Sequence, residues 1–487
     1  MVVFSSFRFQ AFLIMQLKKF VCHSILLFSI FLNWGCATYY KQHQLFNEKF
    51  YSGDVEQANQ ILDNNKKDQR NKNKVLYYLN KGTLLWMMQN YDQSSKFFLL
   101  ADHYIEDQGR NLGASALSLI TNPTVKPYKP EDFESVLIHF YQTLNFLHMN
   151  NMQEALVECR RMNEKLYLLN DKYKSNQKNR YNDDAFAHVL MGLIYEATGD
   201  TNNAFIAYRN AYNIYQDNYT KNFDTPAPDQ LKRDILRTAK LTGLDDQYNQ
   251  YKKIFQCSYN APSPDQGEII FFWMNGLGPI KSEWSINFTT LSKGDGLLTL
   301  ANEGENMNFP LPLSSLSTQK QTALKDLDFL RIAFPKYMER RPIYSQANIW
   351  INDSLQQPME RAENINAIAF KTLKDRMIRE MANSILRLAT KKAMENYARS
   401  KNDNLGTLLS IANALTEKAD TRNWQTLPHS IYYTRIRLPQ GTHRIKLSLQ
   451  SPSGLQQQQQ EFTFNVKKGE TQFFSFHNLE SQLPSNR

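Results

Sequence analysis

AFAHVLMGLIYEATGDTNNAFIAYRNAY, residues 185–212, reads as two helices joined by a tight turn. Apolar residues recur every three or four positions on both sides of Gly199 and Asp200, the spacing of one buried helical face. Gly192, Ala204 and Ala211 are small enough to let two antiparallel helices approach closely. Tyr195 and Tyr208 are large enough to fill the gaps between successive pairs. The same register returns at Tyr78, Gly82, Leu85, Tyr91, Ser94, Phe98 and Ala101, and again at Phe146, Met152, Ala155 and Cys159. A sparser copy stands at Phe46, Gly53, Ala58 and Leu62. Recurrence of one packing pattern points to a stack of helix pairs.

These copies resemble tetratricopeptide repeats, which implies a helical repeat domain over residues 36–260 that offers a groove to a protein partner. The copies are not in strict tandem, because TNPTVKPYKP at 121–130 separates the second from the third. The groove is therefore expected to be irregular or partly filled. A plain all-helical bundle is the simpler alternative.

Beyond Phe255 the period changes. APSPDQG at 261–267 ends the helical pattern and reads as a linker. EIIFFWM (268–274) reads as a buried strand, WSINFTT (284–290) alternates, and KGDG (293–296) turns the chain into LLTLA. FLRIAF (329–334) and IYSQANIW (343–350) are further strands. From about Arg361 to Arg399 a helical period returns, with a basic outer face carrying Lys371, Lys374, Arg379, Arg387, Lys391 and Lys392. That face is either solvated or a contact for an anionic surface. These elements make a mixed strand and helix domain over 268–428. Residues 429–480 read as a compact four-strand antiparallel module, followed by a tail at 481–487. Its LPQGTHRIKLSL piece is similar to small envelope β-modules of the PEGA type. The glutamine run at 456–460 is a polar loop or a strand edge. The expected class is a multidomain α+β protein.

The amino terminus carries the strongest targeting pattern. Met15 to Cys36 reads MQLKKFVCHSILLFSIFLNWGC: two lysines, a short apolar run, then glycine before cysteine, the layout of a signal peptide over residues 1–35. The run from Phe20 to Leu32 falls short of the roughly 20 apolar residues that span a bilayer. Met15 is the expected true start. Cys36 resembles the lipidated cysteine of bacterial lipoproteins, although Asn33 stands where those usually have leucine; ordinary signal-peptide cleavage is the alternative. Ala37 and Thr38 follow it rather than aspartate, so the resemblance implies an outer-membrane anchor facing the periplasm. Cys159 and Cys257, the other cysteines of the mature chain, read as free thiols rather than a disulfide framework.

A net charge of +10 over 487 residues permits an anionic neighbour such as the cell wall, but the basic residues are dispersed and no nucleic-acid motif accompanies them. The histidines form neither an HExxH pair nor a cluster with cysteine, so no metal ligand set is expected. No nucleophile elbow or phosphate loop is present; Gly276-Leu277-Gly278 runs into Pro279, which suits a turn. Asp183, Asp184, Asp245 and Asp246 lie at helix starts, where carboxylates cap. No catalytic residue and no cofactor are expected.

One constellation stands apart, ADTRNWQTLP at 419–428. Asp420 and Arg422 are placed to pair, and Trp424 is a large anchor with one donor. They read as an ordered joint between domains or, alternatively, as a ligand-facing Trp and Arg. With ITNPTVKPYKPEDFESVLIHFYQTLNFL and NINAIAFKTLKDRMIREMANSILRLATKK, this stretch resembles uncharacterised bacterial envelope lipoproteins with tetratricopeptide-like amino-terminal halves and an ADTRxWxTLP motif. The resemblance implies a cell-envelope role and assigns no activity. The expected function is a non-catalytic, lipid-anchored periplasmic adaptor for protein partners; the alternative is a peptidoglycan or polysaccharide binder.

Overall fold

A computed structural model describes residues 38–484 except 71, 112–123, 125, 172–179, 262–264, 293–296, 303–306, 313, 315–316, 326–328, 354 and 402–417. The signal peptide, Cys36 and the KGDG turn lie outside the described residues, as do parts of the 121–130 loop, the linker and the tail. The fold is mixed α+β. After a short α1 (Tyr39–Gln42), helices pair as hairpins: α2 (Gln44–Tyr51) with α3 (Val55–Asn64), α4 (Lys74–Met87) with α5 (Tyr91–Asn111), α6 (Asp132–His148) with α7 (Met152–Asp171), and α8 (Ala185–Ala197) with α9 (Thr201–Ile214). A π-turn at Tyr215–Tyr219 and α10 (Thr220–Phe223) lead to a further hairpin, α11 (Asp229–Leu241) and α12 (Asp245–Phe255).

One position explains why these hairpins close. Ala58, Ser94, Ala155 and Ala204 hold equivalent places on the second helices, and all four are fully buried. On two of the first helices, a Cβ added at Gly82 would stand 2.8 Å from the Phe98 ring, and one at Gly192 would stand 2.3 Å from Tyr208. The glycines are thus the sockets for aromatics sixteen residues later. At the corresponding places of α6 and α7, Thr143 Oγ1 meets Cys159 Sγ at 3.6 Å. The five turns place Gly53, Gln89, Asn150, Gly199 and Gly243 in the left-handed region. Asp54, Asp184 and Asp200 cap α3, α8 and α9 by accepting from Gln57, Ala187 and Asn203 N–H groups.

The strands are β1 (Gln266–Asn275), β2 (Ile280–Ser292), β3 (Leu297–Asn302) and β4 (Met307–Pro312), then α13 (Thr318–Lys325). There follow β5 (Phe329–Met338), β6 (Gln346–Ile351), β7 (Leu355–Pro358), β8 (Glu360–Glu363), α14 (Ile365–Lys401), β9 (Ser430–Pro439), β10 (Gly441–Gln450), β11 (Gln457–Val466) and β12 (Thr471–Asn478). They form three four-stranded sheets: sheet I in the order β12-β1-β9-β8, sheet II in the order β11-β10-β6-β7, and sheet III in the order β4-β3-β2-β5.

Three expectations are corrected here. The linker ends earlier than residue 267, because Gln266 and Gly267 already pair with Pro439 and Leu438. The long helix expected from about Arg361 begins at Ile365; Glu360–Glu363 is a strand, and Asn364 turns the chain by capping the Ala367 N–H at 3.0 Å. Residues 429–480 are not a self-contained antiparallel module. β9 and β12 flank β1, β12 in parallel, while β10 joins β6 and β11. The physical reason is β1, whose two faces are both apolar and so demand cover on both sides.

Ile270, Phe272 and Met274 of β1 enter the core of the helical hairpins, together with Ile431 and Tyr433 of β9. Ile269, Phe271 and Trp273 enter a second core with Ile349 of β6, Ile445 and Leu447 of β10 and Phe464 of β11. Sheet I is therefore the middle layer between the helices and sheet II. The helical layer is partly filled by its own chain.

Candidate functional site

The stretch Ala419–Pro428 lies between α4, α6 and β2. Arg422 forks onto Asp420, with Nε 2.8 Å from Oδ1 and Nη2 2.7 Å from Oδ2. Its Nη1 donates to the carbonyls of Lys72 (2.9 Å) and Lys126 (3.1 Å), and the guanidinium lies 5.4 Å from the Tyr128 ring centre. One side chain thus ties the loops before α4 and α6 to a segment 350 and 296 residues away. The paired carboxylate makes the fork strong and directional.

Trp424 is 1% exposed. Its backbone N–H donates to Glu134 Oε1 (2.7 Å), and its Nε1 donates to Thr426 Oγ1 (2.9 Å) and Thr83 Oγ1 (3.2 Å). The ring sits 5.7 Å from Phe98 and 5.5 Å from Tyr141. A ligand-facing tryptophan is thereby overturned, because no edge of the ring reaches solvent. The neighbours follow suit. Thr426 donates to Asn80 (3.0 Å), Asn423 Nδ2 donates to the Pro279 carbonyl (2.9 Å), and Gln425 Oε1 accepts from Asn47 (3.1 Å). The structure brings Asp420, Arg422 and Trp424 together as a joint.

Behind the joint sits a buried acidic pair. Glu131 caps α6, and its carboxylate contacts Lys281 Nζ and Arg376 Nη1, the latter at 2.6 Å. Burial raises the Glu131 carboxyl, but Arg376 and Lys281 outweigh it and hold it down to about 2. Burial raises Glu134, with Glu131 adding to the rise, against the pull of Lys281 and the donors Tyr128 and Trp424. Glu134 accepts from the Tyr128 hydroxyl, the Glu131 N–H (2.9 Å) and the Trp424 N–H. With those donors on Glu134 and two cations on Glu131, the pair is committed to holding α6, β2, α14 and the joint together. Two clefts flank Asp420: one of about 240 Å³ lined by Tyr39, Lys72 and Arg422, and one of about 410 Å³ lined by Lys129, Phe334, Arg376 and Arg387.

A second buried network was not anticipated. Arg435 of β9 contacts Glu196 (2.8 Å), Asp234 (3.2 Å) and Glu268. Arg237 forks onto Glu196 with both contacts at 2.6 Å and reaches Asp234 at 2.7 Å. Burial raises the Glu196 carboxyl, but Arg435 and Arg237 hold it down to about 2. The signal was an arginine on the face of β9 shared with Ile431 and Tyr433. His139 and His188 are also tethered, His139 Nδ1 to Glu158 (2.7 Å) and His188 Nε2 to Asn163 (3.1 Å). Among the described residues no group of three or more His, Cys, Asp or Glu side chains is placed to hold a metal ion, and no helix is long and apolar enough to cross a membrane.

No family model matches the chain, and no curated protein matches it. Among solved structures it is similar to a crystal structure of MamA protein, 15% identical, covering 44% of this chain and 87% of that one with a TM-score of 0.28. It is also similar to a crystal structure of BtubC (BKLC) from P. vanneervenii, 13% identical, covering 45% of this chain and 81% of that one with a TM-score of 0.30. Likeness at these scores carries no inference about this chain.

Proposed function

We propose that the chain is a non-catalytic adaptor of the bacterial envelope, anchored through a lipid on Cys36, whose tetratricopeptide-like hairpins bind a protein partner. The observation that carries this reading is the use of the helical layer. Trp424 and sheet I occupy its inner side, while the second helices of the hairpins leave Leu99, Leu100, Val157, Tyr167 and Leu168 in solvent. Apolar side chains on an outer helical face suit a protein partner better than a small substrate. The titratable groups of the joint are matched to one another, which supports a structural rather than a catalytic role for them.

The test is crosslinking in intact bacteria followed by pull-down. A specific partner lost on Leu100→Asp with Tyr167→Asp supports the adaptor; an unchanged set of crosslinked proteins sinks it. Lipid labelling of the native chain against Cys36→Ala tests the anchor separately, and an unlabelled native chain would mean simple secretion. A second reading, binding of peptidoglycan or polysaccharide, draws on the polar 410 Å³ cleft, where Lys129, Arg387 and Lys418 stand beside Asp132, Glu380 and Asp420. Co-sedimentation with purified cell wall, weakened by Lys129→Glu, would favour it.

A further inference from the structure

Sheet edges invite pairing with other chains unless something blocks them. Here several of the described edges are short or interrupted by proline. β4 carries Pro310 and Pro312, β5 carries Pro335, and β7 is four residues long and ends at Pro358. β8 is also four residues long. β12 packs its helix-facing side against α6, where His148 Nε2 lies 2.6 Å from Ser475 Oγ, and it is two residues shorter than β11. β11 has none of these devices.

β11 reads QQQQEFTFNV, without proline, lysine or arginine. It pairs with β10 from Gly441↔Val466 to Gln450↔Gln457 with no register shift, and among the described residues no strand lies on its other side. Its one charge, Glu461, faces Lys446 at 3.8 Å and Arg444 at 4.0 Å on its own molecule. Gln472 Nε2 donates to the Asn465 carbonyl at 2.8 Å and occupies the far end. The open stretch is Gln457–Thr463.

We propose that this edge pairs with the same edge of a second copy of the chain. The stretch is complementary to itself about its midpoint, Gln460. In an antiparallel pair, residues directly opposite share a face of the sheet. Centring on Gln460 sets Gln459 against Glu461, Gln458 against Phe462 and Gln457 against Thr463. Exposed 457 and 459 then meet exposed 463 and 461, so that amides meet a hydroxyl and a carboxylate, half-buried Gln458 meets half-buried Phe462, and the lone acid never faces itself. Leu455, 88% exposed just before the strand, falls opposite Asn465 of the second copy in this register. Sheet II becomes one sheet of eight strands across the two copies. Seven paired residues bury less than the roughly 1,200 Å² of a stable interface, so the dimer is weak and concentration-dependent.

The test places single cysteines in the full chain and adds an oxidant. Gln460→Cys sets two Cα atoms about 5 Å apart across the pair, within disulfide reach. Gln457→Cys sets them about 20 Å apart, six residues along the strand. The expected result is a disulfide-linked dimer for Gln460→Cys in at least tenfold higher yield than for Gln457→Cys or the unaltered chain. Adding Gln459→Glu, which opposes Glu461 of the second copy, lowers that yield severalfold at low salt, and Gln459→Lys raises it. Residue 459 is exposed and faces Ser448 on β10, so neither change disturbs the monomer. Equal yields at 460 and 457, no dimer at either, or indifference to the charge at 459 would overturn the proposal.

Discussion

The helical hairpins and the sheets hold together by contacts of different reach. Gly82 meets Phe98 and Gly192 meets Tyr208 within one hairpin, so each unit closes on its own neighbours in sequence. β1 instead pairs with β12, Glu268 against Thr471, and with β9, Glu268 against Arg437. The first kind of contact repeats, because each hairpin solves the same local packing problem. The second kind is made once, by segments that loop closure must bring together from far apart. The difference teaches where the molecule is vulnerable. Loss of one hairpin contact is a local injury, whereas loss of a contact between layers releases a segment that nothing nearby can replace.

Arg435→Met tests that claim most severely. It leaves Asp234 and Glu268 short of their shared cation in the contact between α11, β1 and β9. Removing one partner from a buried ion pair costs about 3–5 kcal/mol, and urea unfolding should show at least that loss or no folded protein. The two buried networks together predict acid lability. Glu196 and Glu131 are depressed in the folded chain, so their contribution is present above their unfolded values near 4.5 and is lost as pH falls toward about 2. A melting temperature that rises below pH 4 would contradict this. Trp424→Ala should follow closely, at about 3–5 kcal/mol for a buried aromatic. Both methods of unfolding should register it, and a change under 1 kcal/mol would mean that the joint is not what binds the layers.

What could be read from the sequence divides along the same line. The hairpins were legible because socket and aromatic stand sixteen residues apart, at Gly82 and Phe98 or Gly192 and Tyr208. The α11–α12 hairpin was not legible because Tyr248 stands where Ala58, Ser94, Ala155 and Ala204 mark the other four. Strands were legible as strands, since period two survives in IYYTRIRL and THRIKLSL. Their partners were not, because alternation specifies a face and not a neighbour. Four strands with short turns therefore read as one antiparallel module, although β9 and β12 both belong with β1. The joint was visible in Asp420, Arg422 and Trp424, two charges and one anchor in a row. Glu134, Thr83 and the Lys72 carbonyl were not, because each is ordinary in its own stretch and acquires a role only when residues 419–428 arrive.

The smallest expected effects separate two reasons for glycine within one hairpin. Gly192→Ala puts a methyl group 2.3 Å from the Tyr208 ring, and overpacking of this kind costs about 1–3 kcal/mol. Gly199→Ala meets no atom within 4 Å, but its backbone sits at φ +83°, where an alanine costs about 1 kcal/mol. Shrinking the neighbour distinguishes them. On a Tyr208→Leu background the penalty at residue 192 should shrink by half or more, while the penalty at residue 199 stays the same. Double-mutant cycles from urea unfolding measure both couplings. Equal rescue at the two positions would show that Tyr208 acts on the turn as a whole, and the hairpin would then be a less local unit than its sixteen-residue contact suggests.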